Sequence, residues 1–234
     1  MEEQRFRLRT AERTWTAADL PVLTASISLP EPADEKNRAM RKIGWFYRLE
    51  ERSYLRYCQT MLFPRAAALC TQALENSAPL PRCAAALNCR ATYDDGGLWS
   101  LTADMREQFG GHSRTLRRSD TWNLFTGDPL PLSAFFPPRF PVRRHLLGLA
   151  EAEISRQEEA GVARYHEDWR RELRRAFNRE NFYLTPEGLC FYWQMQSVAP
   201  MAEGIPTFLV PYGDLCRLPA ILPKKRAKRR RDSQ

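Results

Sequence analysis

Between residues 40 and 105 the hydrophobic period changes from that of a helix to that of a strand. This switch restricts the chain to folds in which both elements share a core. Met40, Ile43, Tyr47, Tyr54, Cys58 and Leu62 recur along one helical face, with Arg and Glu on the other, which predicts a long amphipathic helix to about residue 63. Asp34 is its expected N-cap, with Glu35 in the first turn. Pro64 should kink or end it, leaving Ala66 to Leu74 as a second helical piece. After Pro79 and Pro81 the period becomes two: Leu87, Cys89, Ala91 and Tyr93 alternate with polar neighbours, Asp94-Asp95-Gly96-Gly97 makes a turn, and Trp99, Leu101, Ala103 and Met105 alternate on the return. Gly110-Gly111 breaks the chain again before a strand towards Phe125, and Thr126-Gly127-Asp128-Pro129 is a turn. The expectation is an antiparallel meander beside the first helix, with Pro21 to Pro30 as an earlier β-rich stretch.

The second half repeats neither pattern. Leu146, Leu149 and Ile154 suit a helix that Gly161 ends, and Tyr165, Trp169, Leu173 and Phe177 form another stripe at four-residue spacing. Asn181 to Leu184, Leu189 to Trp193 and Thr207 to Val210 read as strands, with Thr185-Pro186-Glu187-Gly188 as a hairpin turn between the first two. Strand runs and helix runs are segregated, so the class expected is α+β: antiparallel sheets packed with amphipathic helices in two small subdomains. Residues 18–127 would hold the first helix and the meander, 128–220 the second α+β unit, and 221–234 a disordered basic tail. There is no internal repeat.

Charge is unevenly placed. Lys224, Lys225, Arg226, Lys228, Arg229, Arg230 and Arg231, less Asp232, give residues 224–234 a charge of +6 out of the chain's +8, so the preceding 223 residues carry only +2. The basic character belongs to the tail, which suits weak, nonspecific polyanion binding by counterion release, to nucleic acid or to an acidic partner. No apolar run approaches the ~18 residues of a membrane span. The opening Met1-Glu2-Glu3-Gln4-Arg5-Phe6-Arg7 has no apolar core of a secretory signal, so the expected compartment is the cytoplasm. The six cysteines, at 58, 70, 83, 89, 190 and 216, contain no C-x-x-C pair and read as buried reduced thiols.

The polar clusters have local explanations. Asp94-Asp95 is explained by its turn. His166-Glu167-Asp168 sits in a helical pattern that points neighbours in different directions. His112-Ser113 lies outside any nucleophile elbow. His112, His145 and His166 lack the spacing of a metal site, and no phosphate-cradling glycine motif is present. The expectation is a protein that is not an enzyme, with no metal and no cofactor. Phe182, Tyr183, Phe191, Tyr192 and Trp193 alternate along strands, which would send half of them to the core and leave the other half as a face for recognition.

The most specific stretch is NFYLTPEGLCFYWQMQSVAPMAEGIPTFLVPYGDL, from Asn181 to Leu215. It resembles the C-terminal signature of a bacterial domain-of-unknown-function family that includes the extracytoplasmic part of the anti-sigma factor RsiV and the non-catalytic region of the peptidoglycan deacetylase PdaC. Phe109-Gly110-Gly111-His112, Asp120 to Gly127, Leu132 to Phe136 and the Tyr54 to Ala66 helix match the same family, so the resemblance spans about residues 18–218. It implies a two-part α+β module that binds at the cell wall, with lysozyme or a peptidoglycan-related ligand as partner. The loops that keep the family pattern are Gly110, Gly111, His112 and Ser113 in one, and Pro200, Met201, Glu203, Gly204 and Pro206 in the other. Met201 stands where the family has an aromatic residue.

Overall fold

The computed structural model describes residues 5–220. Its first large element is a six-stranded sheet of order β1-β2-β3-β4-β5-β6: β1 Phe6–Ala17, β2 Leu20–Pro32, β3 Cys83–Asp95, β4 Leu98–Phe109, β5 His112–Asn123 and the two-residue β6 Asp128–Pro129. Every neighbouring pair is antiparallel except β2 and β3, which run parallel. A parallel pair needs a long crossover, and the helical segment between residues 38 and 75 supplies it: α1 Arg38–Tyr57, one π-helical turn Cys58–Leu62, and α2 Phe63–Glu75. The fold is α+β, as the segregated periods require.

Several details depart from sequence expectation. The helix is capped by Asn37 rather than Asp34: Asn37 Oδ1 accepts from the N–H groups of Ala39 and Met40 at 2.9 and 3.2 Å. Pro64 does not end it. It falls in the first turn of α2, where no intrahelical N–H is required, and the π-helical turn before it accommodates the change of winding. Strand β1 was not expected at all. It is an edge strand with only Phe6 and Trp15 buried, joined to β2 by a turn in which Ala18 and Asp19 take φ of 47° and 62°. The stripe from Tyr165 to Phe177 forms only a short helix, α4 Trp169–Arg175, so His166, Glu167 and Asp168 lie in the turn before it.

The second sheet is small: β7 Phe182–Leu184, β8 Gly188–Tyr192 and β9 Thr207–Pro211, all antiparallel, packed with α3 Val142–Glu159 and α4. Two apolar clusters result. One joins α1, the π-helical turn and α2 to the large sheet through Ile43, Tyr47, Cys58, Leu62, Ala66 and Cys70. The other gathers Phe135, Leu146, Ile154, Trp169, Leu173, Leu189, Trp193 and Val198 around the small sheet, with Leu98 of β4 contributing from across the boundary.

A polar seam runs beside that contact. The fully buried Ser100 hydroxyl shares a hydrogen bond with Thr121 at 2.7 Å and accepts the Leu184 N–H at 3.0 Å. Buried polar groups need such partners, so the seam fixes how β7 lies on β4 and β5.

Candidate functional site

The two family-like loops are both at the surface. Gly110 and Gly111 form the tip of the β4–β5 hairpin, flanked by the Phe109–His112 pair. Gly110 takes φ +60°, and its N–H donates to the Arg82 carbonyl at 3.0 Å, so the tip is tied to the start of β3. Gly111, His112 and Ser113 are exposed. In the other loop, Met201–Glu203 winds as a single 3₁₀ turn closed by Glu203 N–H to Pro200 O at 3.0 Å and Gly204 N–H to Met201 O at 3.1 Å. Glu203 accepts the Arg164 N–H at 3.2 Å. Met201 is 44% exposed at the tip, whereas Pro206 is buried and its carbonyl accepts the Trp193 N–H. Among the described residues, no hydrogen bond or ion pair joins one loop to the other.

The aromatic cluster is not a face. Phe182, Phe191, Tyr192 and Trp193 are buried and Tyr183 is half-buried. Alternation does place the side chains on opposite faces of β8, but one face meets the second core while Tyr192 on the other meets β5. Its hydroxyl lies 3.0 Å from Ser119 Oγ and donates to the Arg117 carbonyl at 3.3 Å. The basic run from Lys224 to Arg231 lies outside the described residues.

A further concave candidate lies elsewhere. A cleft of about 1120 Å³ lies along the outer edge of β5, between Phe46 of α1 on one side and the first turn of α3 with residues 177–181 on the other. It forms because β6 covers only Trp122 and Asn123 of a twelve-residue strand. Five arginines line it. Two are committed: Arg117 forms a bidentate pair with Asp104 at 2.7 and 2.8 Å, a hydrogen-bonded pairing that holds its guanidinium more basic than usual, and Arg118 pairs with Glu50 at 2.5 Å. Arg143 donates to the Arg174 carbonyl at 2.9 Å and lies over the Phe177 ring. Arg144 and Arg179 are exposed and form no hydrogen bond or ion pair among the described residues.

Asp120 and Glu180 are the carboxylates of the cleft. Asp120 accepts from the Tyr47 hydroxyl at 3.0 Å, and that hydroxyl accepts from Trp122 Nε1 at 2.9 Å. Burial pushes the Asp120 carboxyl above its ordinary range, although the Tyr47 bond opposes this. Burial also pushes Tyr192 up to about 12. Ser119 Oγ, near both, meets Tyr192 and the Glu180 carbonyl at 3.2 Å rather than a base. Among the described residues, the Ser119 hydroxyl therefore has no general base beside it to activate it.

Asp94, a candidate in sequence, is paired with Arg5 at 2.7 Å beside its hairpin turn. Among the described residues no group of three His, Cys, Asp or Glu side chains is placed to hold a metal ion. No helix among them is long and apolar enough to cross a membrane.

Sequence reasoning missed the cleft, since its walls come from segments more than a hundred positions apart. The one local signal was Pro141-Val142-Arg143-Arg144, two adjacent arginines opening a helix.

Residues 133–213 match the family described as "Protein of unknown function (DUF3298)". The chain carries a DUF3298 domain. The match contains α3, α4 and the whole small sheet, hence the 200–206 loop but not the 110–113 tip. No curated protein matches the chain. Its fold is shared by solved structures that include two DUF3298 family proteins. A DUF3298 family protein from Pseudomonas aeruginosa aligns with a TM-score of 0.60 at 14% identity, over 96% of this chain and 99% of that one. A DUF3298 family member from Bacteroides fragilis aligns with a TM-score of 0.54 at 16% identity, over 90% and 92%. The fold common to them therefore includes the large sheet as well as the DUF3298 domain.

Proposed function

We propose that this protein is a non-catalytic recognition module of the kind found in RsiV and PdaC, contacting lysozyme or a peptidoglycan-related ligand through the Gly110–Ser113 and Pro200–Pro206 loops. The observation that carries the reading is the pre-set shape of both loops. Each is short, has an exposed tip and is held by main-chain hydrogen bonds, to the Arg82 carbonyl in one and within the 3₁₀ turn in the other, so little conformational freedom is lost on contact. Met201 supplies an exposed apolar tip, flanked by the Glu203 carboxylate. The resemblance over Asn181 to Leu215 supports the choice of ligand.

The test is calorimetric titration of the protein with lysozymes and with soluble peptidoglycan fragments, repeated for Gly111→Trp and Met201→Asp. Nothing lies within 4 Å of where a Cβ on Gly111 would sit, and Met201 is exposed, so both variants should keep the wild-type fold. Binding that is lost in both supports the reading. Binding that is unchanged in both moves the site elsewhere, and no binding to either ligand removes it.

A further inference from the structure

The β5 cleft is built differently from the two loops. Pairing of Phe109 with His112 at the hairpin tip means that residues 113, 115, 117, 119 and 121 turn their main-chain N–H and C=O groups away from β4. Two of these positions show what the edge accepts. At Arg117 the Gln194 side-chain amide bonds both groups, its oxygen accepting the N–H at 2.9 Å and its nitrogen donating to the carbonyl at 2.7 Å. At Thr121 the carbonyl accepts the Leu130 N–H at 2.7 Å. Ser119 lies between them, with no strand beside its main chain and the cleft in front of it.

We infer that this cleft docks an extended acidic segment of another protein, which adds to the edge of β5 at Ser119 and sets its carboxylates against Arg143, Arg144 and Arg179. Strand addition uses main-chain hydrogen bonds for affinity and the flanking surfaces for alternate side chains. Here the flanks are Phe46 on one side and Phe140 and Phe177 on the other. The volume, about 1120 Å³, lies above the ~300–1,000 Å³ usual for small ligands and suits a chain segment. The sign of the partner follows from Arg144 and Arg179, which have no carboxylate of their own. This protein's own terminal run, Lys224 to Arg231, has the wrong sign to fill the cleft. The inference does not rest on the loop reading, since none of these residues belongs to either loop.

The test uses the full chain and a labelled heptapeptide alternating glutamate and valine, read by fluorescence anisotropy. Controls are the same peptide N-methylated at alternate residues, a lysine–valine peptide, and an oligogalacturonate as an acidic glycan. The prediction is saturable binding of the acidic peptide, weakened about tenfold or more by Arg144→Glu with Arg179→Glu, where like charges would meet. N-methylation should weaken it to a similar degree, about tenfold, by removing strand-pairing donors. Both arginines are exposed and unpaired, so the double variant should melt with the wild type. Equal binding by wild type and double variant would overturn the inference by placing the peptide on the basic terminal run. Equal binding of the N-methylated peptide, preference for the glycan or the lysine peptide, or no peptide binding would overturn it as well.

Discussion

Gln194→Ala should loosen the DUF3298 domain from the large sheet. In the folded protein the Gln194 amide satisfies both outward main-chain groups of Arg117, at 2.9 and 2.7 Å. After truncation the carbonyl keeps the Tyr192 hydroxyl at 3.3 Å, while the N–H keeps no protein partner. Each net hydrogen bond contributes about 0.5–1.5 kcal/mol, so the loss should be about 1–3 kcal/mol, with water at this half-buried edge favouring the lower half. For a chain of this size that corresponds to a fall in Tm of roughly 2–12 °C. Thermal and urea unfolding of the wild type, Gln194→Ala and Gln194→Glu would measure it. The glutamate has the same shape and can still accept the Arg117 N–H, but sets a second oxygen against the Arg117 carbonyl, so it should be destabilised too. A Gln194→Ala protein within about 0.5 kcal/mol of wild type, the range of ordinary surface substitutions, would refute the reasoning.

Gly188→Ala should be the more damaging change: its Cβ would fall 2.3 Å from the Val210 carbonyl oxygen, forcing β8 and β9 apart, and a loss of about 3 kcal/mol in chemical unfolding is expected. All six cysteines are buried and unpaired, and burial pushes the thiols of Cys58 and Cys216 up to about 11 and that of Cys89 up to about 12. Ellman's reagent should therefore label none of them in the native protein and all six after denaturation. Asp120 binds its proton more tightly folded than unfolded, because its carboxyl is raised above 3.8. Its contribution is accordingly most favourable at acid pH and is lost as pH rises through the raised value. The Tm of Asp120→Asn relative to wild type should rise with pH across that window and be flat below it; a flat difference throughout would show that the burial cost is not borne by this carboxyl.

How much was legible in the sequence depended on how far each signal is local. The stripe from Met40 to Leu62 was readable because one continuous face of α1 and its π-helical turn packs on the sheet, and all six residues are buried. The Thr185–Gly188 turn and the β3–β4–β5 meander were readable for the same reason: their pairings join neighbours in sequence. Strand β1 was not, because Arg7, Arg9, Glu12 and Arg13 dominate an edge that needs only Phe6 and Trp15 for the core. The parallel match of β2 to β3 has no sequence marker, since it pairs Thr24 with Ala84 across the entire helical crossover. The aromatic residues of β7 and β8 misled because alternation predicts opposite faces but not what covers them. Here both faces are covered, one by the second core and the other by β5. Of the candidate site, the two loops were singled out by the family pattern they keep. The arginine-lined cleft exists only once residues 46, 119, 144 and 179 are brought together.

Hydrogen–deuterium exchange of the full chain, with and without saturating lysozyme or soluble peptidoglycan fragments, tests the recognition reading most directly. The account predicts new protection at the loop amides that lack a main-chain partner, Gly111, Ser113, Met201 and Ala202, with the paired amides of the small sheet unchanged. Protection confined to other surfaces, or none in the presence of either ligand, would contradict it.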